Sequence, residues 1–207
     1  KLAKKTGARL NVFHISTAKE LNLFDNNIQL KDKNITAEVC AHHLWFTDDD
    51  YKNLGSKIKW NPAIKSQNDR DALWTAINDD RIDIIASDHA PHTEEEKNNK
   101  YLSCPSGGPM VQHTILSLLQ NCNNYGVSIE KIVEKISHNP AIIFEINKRG
   151  FLREDYYADI VLIDPNSSTS VTKDSLLYKC GWSPFEGVKF NYSINKTIVN
   201  GKVARSE

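Results

Sequence analysis

Two short stretches of this chain carry side chains suited to bond-breaking chemistry. Asp88-His89-Ala90-Pro91-His92 sets a carboxylate and two imidazoles directly after the apolar run Ile82-Asp83-Ile84-Ile85-Ala86. A carboxylate at a strand end with imidazoles a few residues on suits metal binding or acid–base catalysis. An ordinary alternative is that Asp88 caps a turn while the histidines are solvated, and spacing alone does not decide. His14 follows Arg9-Leu-Asn-Val-Phe13, a second expected strand. Alone, such a histidine is more often a satisfied polar residue than a ligand. Two strand-end candidates in one parallel sheet alter that, because active sites lie where such strands end. His42-His43 is a third cluster, but neighbours on a strand point to opposite faces, so at most one could face a shared centre. Asn61 fits a turn or a substrate hydrogen-bonder equally well, and His113 and His138 in helical segments read as structural.

The elements around these groups follow from periodicity and punctuation. Lys1–Thr6 reads as the end of a helix stopped by Gly7. Thr17 and Glu20 form a capping pair for a helix through Leu21 and Phe24. Strands are expected at 9–14, 35–41 and 81–87, with 57–60 extended. Thr47 caps an acidic turn at 48–50, and a helix starts at Ser66 with Leu73, Ala76 and Ile77 on one face. Glu94-Glu95-Glu96 reads as a solvated loop. Strands alternating with helices indicate a parallel α/β sheet or barrel. After Gly108 the texture turns helical, with a stripe of Val111, Ile115, Leu118, Leu119 and Cys122. Ser128 caps a second helix, and Asn139-Pro140 is the expected cap of a third. From about Gly150 the chain becomes strand and turn, ending in a hairpin across Asn200-Gly201.

The 207 residues are 40% hydrophobic and 25% charged, with 26 basic and 26 acidic side chains. That balance provides no field to recruit nucleic acid or an anionic membrane, and favours a small-molecule or protein partner. No apolar run approaches a membrane span. The N-terminus has no secretory pattern, and Cys40, Cys104, Cys122 and Cys180 form no paired motif. Buried thiols in a reducing cytoplasm are therefore expected.

Taken in order, the motifs resemble those of the dihydroorotases. Ser87-Asp-His-Ala-Pro-His92 with Glu96-Lys97 resembles their DHAPH motif, and Phe13-His-Ile-Ser-Thr17 their HVST segment. Thr36-Ala-Glu-Val with His42-His43-Leu44 is similar to TAEVTPHHL, and Lys59-Trp-Asn-Pro62 to KMNPP. Asn139-Pro-Ala141 and Ala158-Asp-Ile-Val-Leu162 are similar to a C-terminal pattern shared by many amidohydrolases. The resemblance implies an α/β fold: the C-terminal part, about strands six to eight, of a (β/α)8 TIM-type barrel, plus a small C-terminal β subdomain. Residues 1–149 would form the partial barrel with its trailing helices, and 150–207 the β segment.

The implied activity is zinc-dependent, reversible hydrolysis of dihydroorotate to N-carbamoyl-L-aspartate in pyrimidine synthesis. His14 would bind one of two zinc ions; Asp88 would bind the other and shuttle the proton. Asn61, His92 and backbone near Ser106-Gly107 would grip the substrate, and the complete enzyme would be a homodimer. His42 and His43 match positions with no ligand role. Lys65, Ser106, Gly108–His113 and Glu145 depart from the family pattern; at Glu145 a glycine is usual. The family's His-x-His pair, its bridging Lys or Asp and a further histidine have no counterpart here. The chain is therefore expected to be part of a longer one, and inactive alone. Two rivals remain: a hydantoinase- or allantoinase-type cyclic amidase, and a non-catalytic scaffold of dihydroorotase type.

Overall fold

The computed structural model describes the backbone of residues 1–206 and the side chains of residues 1–204. Helix α1 (Leu2–Thr6) stops where Gly7 turns left-handed at φ 71°. Strands β1 (Leu10–Val12) and β2 (Ile35–Cys40) pair in parallel, Leu10 opposite Ile35. Between them the Thr17–Glu20 capping contacts form, but the helix they open is a single 3-10 turn, Glu20–Leu23, with only Leu21 buried. Phe24 packs against the core from extended backbone (φ −108°, ψ 143°), which ends the turn there.

The chain then runs through α2 (Ala41–Trp45), α3 (Tyr51–Leu54) and α4 (Gln67–Asn78) to β3 (Ile84–Ala86). Ser66 caps α4 by accepting from Asp69 N–H. Strand β3 pairs in parallel with β2, Glu38 opposite Ile84 and Cys40 opposite Ala86. The sheet order is β1-β2-β3, and the described residues close no barrel. Two expectations change here. His42 and His43 lie in the first turn of α2, not on a strand, and their rings stand 4.2 Å apart. Gly55–Ile58 is a 3-10 turn, not extended chain, entered where Gly55 takes φ 49°.

Side chains alternate along β2, which gives the sheet two unlike faces. Ala37 and Val39 enter a core with Leu44, Trp74, Ile77 and Leu116. Thr36, Glu38 and Cys40 point the other way and are also buried. At the opposite end of the strands sits a charged cluster. Lys33 Nζ lies 2.7 Å from Asp83 Oδ1, whose other oxygen accepts from Ala37 N–H.

Helix α5 (Glu94–Lys97) occupies the expected acidic loop. Thr93 and Glu96 cap each other's backbone, and carboxylates at a helix N-terminus are favourable. Helix α6 (Thr114–Cys122) starts later than its apolar stripe implied, leaving Val111 58% exposed in the preceding turn. Helix α7 (Ile129–Val133) continues through a π turn, Glu134–His138, into α8 (Asn139–Ile143). Asn139 is thus helical rather than a cap. Its side chain donates to Asp83 O, tying this run to the entry of β3. Glu145 closes α8 at φ 54°, a left-handed position that accounts for the glycine the resemblance led us to expect. Its carboxylate pairs with Arg9.

Strand β4 (Ile160–Asp164) lies antiparallel to β7 (Ser193–Val199), which pairs with β8 (Lys202–Ser206) across left-handed Asn200 and Gly201. Between them β5 (Thr169–Ser170) pairs with β6 (Lys189–Phe190). Val171, Phe185 and Phe190 from this region enter the main core, so it is joined to the α/β part by apolar packing. No helix of the described residues is long and apolar enough to cross a membrane.

Candidate active site

Because β1, β2 and β3 run parallel, their C-terminal ends meet along one edge. His14 comes two residues after β1 and Asp88 two residues after β3. Both take left-handed backbone, φ 58° and 44°, uncommon for residues with a Cβ. Ile15 N–H donates to Glu38 O at 2.7 Å, which holds the first of these turns against β2. His14 Nε2 thereby stands 3.7 Å from Asp88 Oδ1, each side chain a quarter exposed.

The middle strand adds two groups that the sequence reading gave no role. Glu38 Oε1 is 3.2 Å from His14 Nδ1, and Cys40 Sγ is 2.8 Å from the same nitrogen. Burial raises the Glu38 carboxyl above its ordinary range, against the pull of His14; the Asp88 charge adds to the rise. Asp88 is also raised by burial and lowered by His14. Burial likewise pushes the Cys40 thiol up. A signal was present in the sequence. A glutamate inside a buried run, two residues from Thr36 and two from Cys40, shares their face of the strand.

A second group of segments is gathered beside this edge. Gly107 N–H donates to Lys59 O, and Ala90 N–H to Gly108 O, joining the loop of Ser106 and Gly107 to the segments that carry Asn61 and His92. Buried Lys97 completes the junction, donating to Pro105 O at 3.0 Å, to Gly107 O at 2.8 Å and, at 3.3 Å, to Lys59 O. Burial draws its ammonium down to about 8. His92 O accepts from Trp182 Nε1, and His92 Nδ1 lies 3.8 Å from Glu96. Asn61 is exposed at the loop surface. Among the described residues no hydrogen bond connects Asn61, His92 or Ser106 to the His14–Asp88 pair.

Gly107 has no room for a side chain. At φ 111°, a Cβ there would lie 2.6 Å from Ala90 Cβ. Gly107→Ala is expected to cost about 2 kcal/mol or more through strain and overpacking. A lowered urea midpoint would show it, and an unchanged one would mean the loop yields freely.

The remaining histidines have structural surroundings. His42 is fully buried, stacked on Trp60 with centroids 4.3 Å apart and planes at 10°. His43 Nε2 meets Pro62 O, and burial lowers its pKa to about 4. His89 Nδ1 accepts from Met110 N–H at 3.0 Å and from Val111 N–H at 3.3 Å. His113 is buried beside Tyr178, Phe185 and Phe190, and His138 stacks on Phe151. The four cysteines are free thiols, three of them buried.

The donor chemistry of His14 and Asp88 fits a zinc ion. Imidazole nitrogen and carboxylate oxygen are both ordinary zinc donors. At 3.7 Å apart, the two atoms are close enough to serve neighbouring ions. His14, Glu38 and Cys40 also offer donor atoms within 4.8 Å of one another, as do Cys40, His42 and His43. In the second set the His42 ring stacks on Trp60 through its face, and neither of its buried nitrogens has a hydrogen-bond partner among the described residues. A cavity of about 760 Å³ between α6 and the C-terminal sheet has a largely apolar lining that includes Pro91, Val111, Ile115 and Ile194, with His89 of the Asp88–His92 segment at its wall.

The profile of the Amidohydrolase family matches residues 5–204. The chain belongs to the amidohydrolase family. It is 39% identical over 204 residues to a dihydroorotase of Endomicrobium trichonymphae, covering 98% of this chain and 48% of that protein. A dihydroorotase of Clostridioides difficile is 34% identical, over 98% of this chain and 47% of its own length. This amidohydrolase chain thus spans about half the length of the curated relatives it matches. Among solved structures, the L-hydantoinase (dihydropyrimidinase) of Arthrobacter aurescens superposes with a TM-score of 0.86 at 27% identity, covering 99% of this chain and 46% of that one. The D-hydantoinase (dihydropyrimidinase) of Thermus sp. shares the fold at TM-score 0.88 and 21% identity, covering 99% of this chain and 46% of that one.

Proposed function

We propose that the chain carries part of the active site of a zinc-dependent cyclic amide hydrolase that interconverts dihydroorotate and N-carbamoyl-L-aspartate. The observation behind this is the convergence of His14 Nε2 and Asp88 Oδ1, 3.7 Å apart at the C-terminal edge of a parallel sheet. The substrate follows from the relatives, which are dihydroorotases at 39% and 34% identity. In this reading β1, β2 and β3 are about the sixth to eighth strands of a (β/α)8 barrel. Residues 1–149 make the barrel sector and 150–207 a small β subdomain. Three parallel strands adjacent in chain order, with helices on their apolar face, support that placement.

His14 would hold zinc through Nε2, and Asp88 through a carboxylate oxygen at the neighbouring position of a pair. Zinc bound there supplies an acidified water and polarises the amide carbonyl. Asp88 accepts the proton of the attacking water and delivers it to the ring nitrogen as the C–N bond breaks. One C–O bond forms and one C–N bond breaks; one water proton ends on the terminal nitrogen of the carbamoyl group, and the other leaves as the new carboxyl group ionises. Asn61, His92 and the backbone at Ser106-Gly107 hold the substrate carboxylate and ring amide. Lys97 keeps that loop in place through its three carbonyl partners.

The test is a parallel assay of the zinc-loaded full-length protein on dihydroorotate, N-carbamoyl-L-aspartate and hydantoin. Preference for dihydroorotate and its product is expected. Preference for hydantoin would favour the second reading, a hydantoinase-type amidase, which the structural match at 27% identity supports. No turnover of any of them would leave a non-catalytic scaffold. A catalytic zinc commonly has three protein ligands. With only His14 and Asp88 assigned as ligands of a zinc pair in this reading, the isolated 207-residue chain is expected to bind less than one equivalent of zinc tightly and to show no turnover. Metal analysis after desalting checks this, and two retained equivalents would contradict it.

A further inference from the structure

We propose that Glu38 is a positioning residue that holds the His14 ring with its proton on Nδ1, leaving the Nε2 lone pair facing the site that Asp88 also faces. This rests on the metal reading above and assigns a role to a residue outside the candidate ligand pair. Glu38 is 6% exposed in the middle of β2. An ionised carboxylate only accepts hydrogen bonds, and burying one without donors is costly. The donor nearest to it is the His14 ring, whose Nδ1 lies 3.2 Å from Oε1. Glu38 thus faces the ring of the residue with the left-handed backbone, φ 58°, and its own carbonyl accepts from the next N–H, that of Ile15.

The two contacts fix different things. The Ile15 N–H bond to Glu38 O holds the turn that carries the ring past the end of β1. The carboxylate beside Nδ1 selects the tautomer. Cys40 Sγ sits nearer the same nitrogen, at 2.8 Å, but a thiol is a weak acceptor, and the carboxylate 3.2 Å away supplies the negative charge that favours a proton on Nδ1. With Nδ1 carrying the proton, Nε2 and Asp88 Oδ1 are two electron-pair donors 3.7 Å apart. Such a pair favours a cation between or beside it. Carboxylates placed behind metal-binding histidines orient the ring and raise its basicity, and their loss commonly weakens metal binding about 10–100-fold.

Zinc affinity of the full-length protein, measured by competition with a chromophoric chelator, tests this together with the 15N spectrum of the zinc-loaded histidines. Glu38→Leu is expected to weaken one of the two zinc equivalents by about 10–100-fold. Glu38→Gln, whose amide oxygen still accepts the Nδ1 proton, should lose less. Thr36→Ala, on the same buried face, should leave zinc affinity unchanged. His14 should show a protonated Nδ1 and a metallated Nε2 in the wild type. Should Glu38→Leu fail to fold, the nearly isosteric Glu38→Gln carries the measurement. Wild-type zinc affinity in both Glu38 variants, or zinc on Nδ1 of His14, would overturn the proposal. A wild-type protein that binds no zinc would overturn the metal reading itself, and this role with it.

Discussion

Asp88→Asn in the zinc-loaded full-length enzyme will lower kcat on the order of 10²–10⁴-fold while leaving the fold intact, the range seen when a general acid–base group is lost. The amide keeps the shape of the carboxylate but cannot take a proton from water and pass it to the leaving nitrogen. The backbone makes this a clean substitution. Position 88 sits at φ 44°, and asparagine tolerates the left-handed region about as well as aspartate does. Asp88→Ala would add backbone strain and mix two effects. Circular dichroism should therefore be unchanged in Asp88→Asn, and the loss should appear in kcat for both ring opening and ring closure. Turnover within a few-fold of wild type would remove Asp88 from its role. A rise in KM alone would make it a binding group instead.

Lys33→Met is expected to destabilise the fold by about 3–5 kcal/mol near neutral pH, because it leaves a buried carboxylate unpaired. Lys33 and Asp83 are both at least 96% buried as side chains, with Nζ 2.7 Å from the carboxylate. The lysine also donates to Asp80 O, and Asp83 accepts from Ala37 N–H and so bridges β3 to β2. Burial already raises the Asp83 carboxyl above its ordinary value, with Lys33 and the Ala37 N–H pulling it down. Removing the cation lifts it further above the unfolded value. A carboxyl whose folded pKa is raised binds protons more readily folded than unfolded. The deficit is therefore full above the folded pKa and shrinks as pH falls through it. Urea midpoints of wild type and Lys33→Met should converge on going from pH 7 to pH 5. Adding Asp83→Asn should recover part of the loss at pH 7, because an amide needs no counter-ion. A gap that is constant with pH would show that the damage is packing rather than an unpaired charge.

Much of the local structure was legible from short-range chemistry. Gly7 ends α1 in the left-handed conformation, and Ser66 caps α4 by accepting a backbone N–H. Asn200-Gly201 makes the hairpin, with both residues at positive φ as that turn demands. Where expectation and structure part, packing outweighed the local signal. The acidic run became α5 because Thr93 and Glu96 cap each other while Lys97 buries behind them. Asn139 was drawn into a continuous helical run and turned its side chain to Asp83 O. His42 and His43 entered a helix, where the first of them became a wall against Trp60.

The sequence alone located His14 and Asp88, because each follows an apolar run and strand ends are marked by residues next to them in the chain. It also carried the ordered motifs that associate the chain with amidohydrolases. Only the tertiary structure disclosed Glu38 and Cys40 against His14, and Lys97 beneath the Gly107 loop. His14 and Cys40 are 26 residues apart, and Lys97 and Lys59 are 38. Such meetings are fixed by strand register and by which buried charge must find a partner once water is excluded. No periodicity in a one-dimensional string records either.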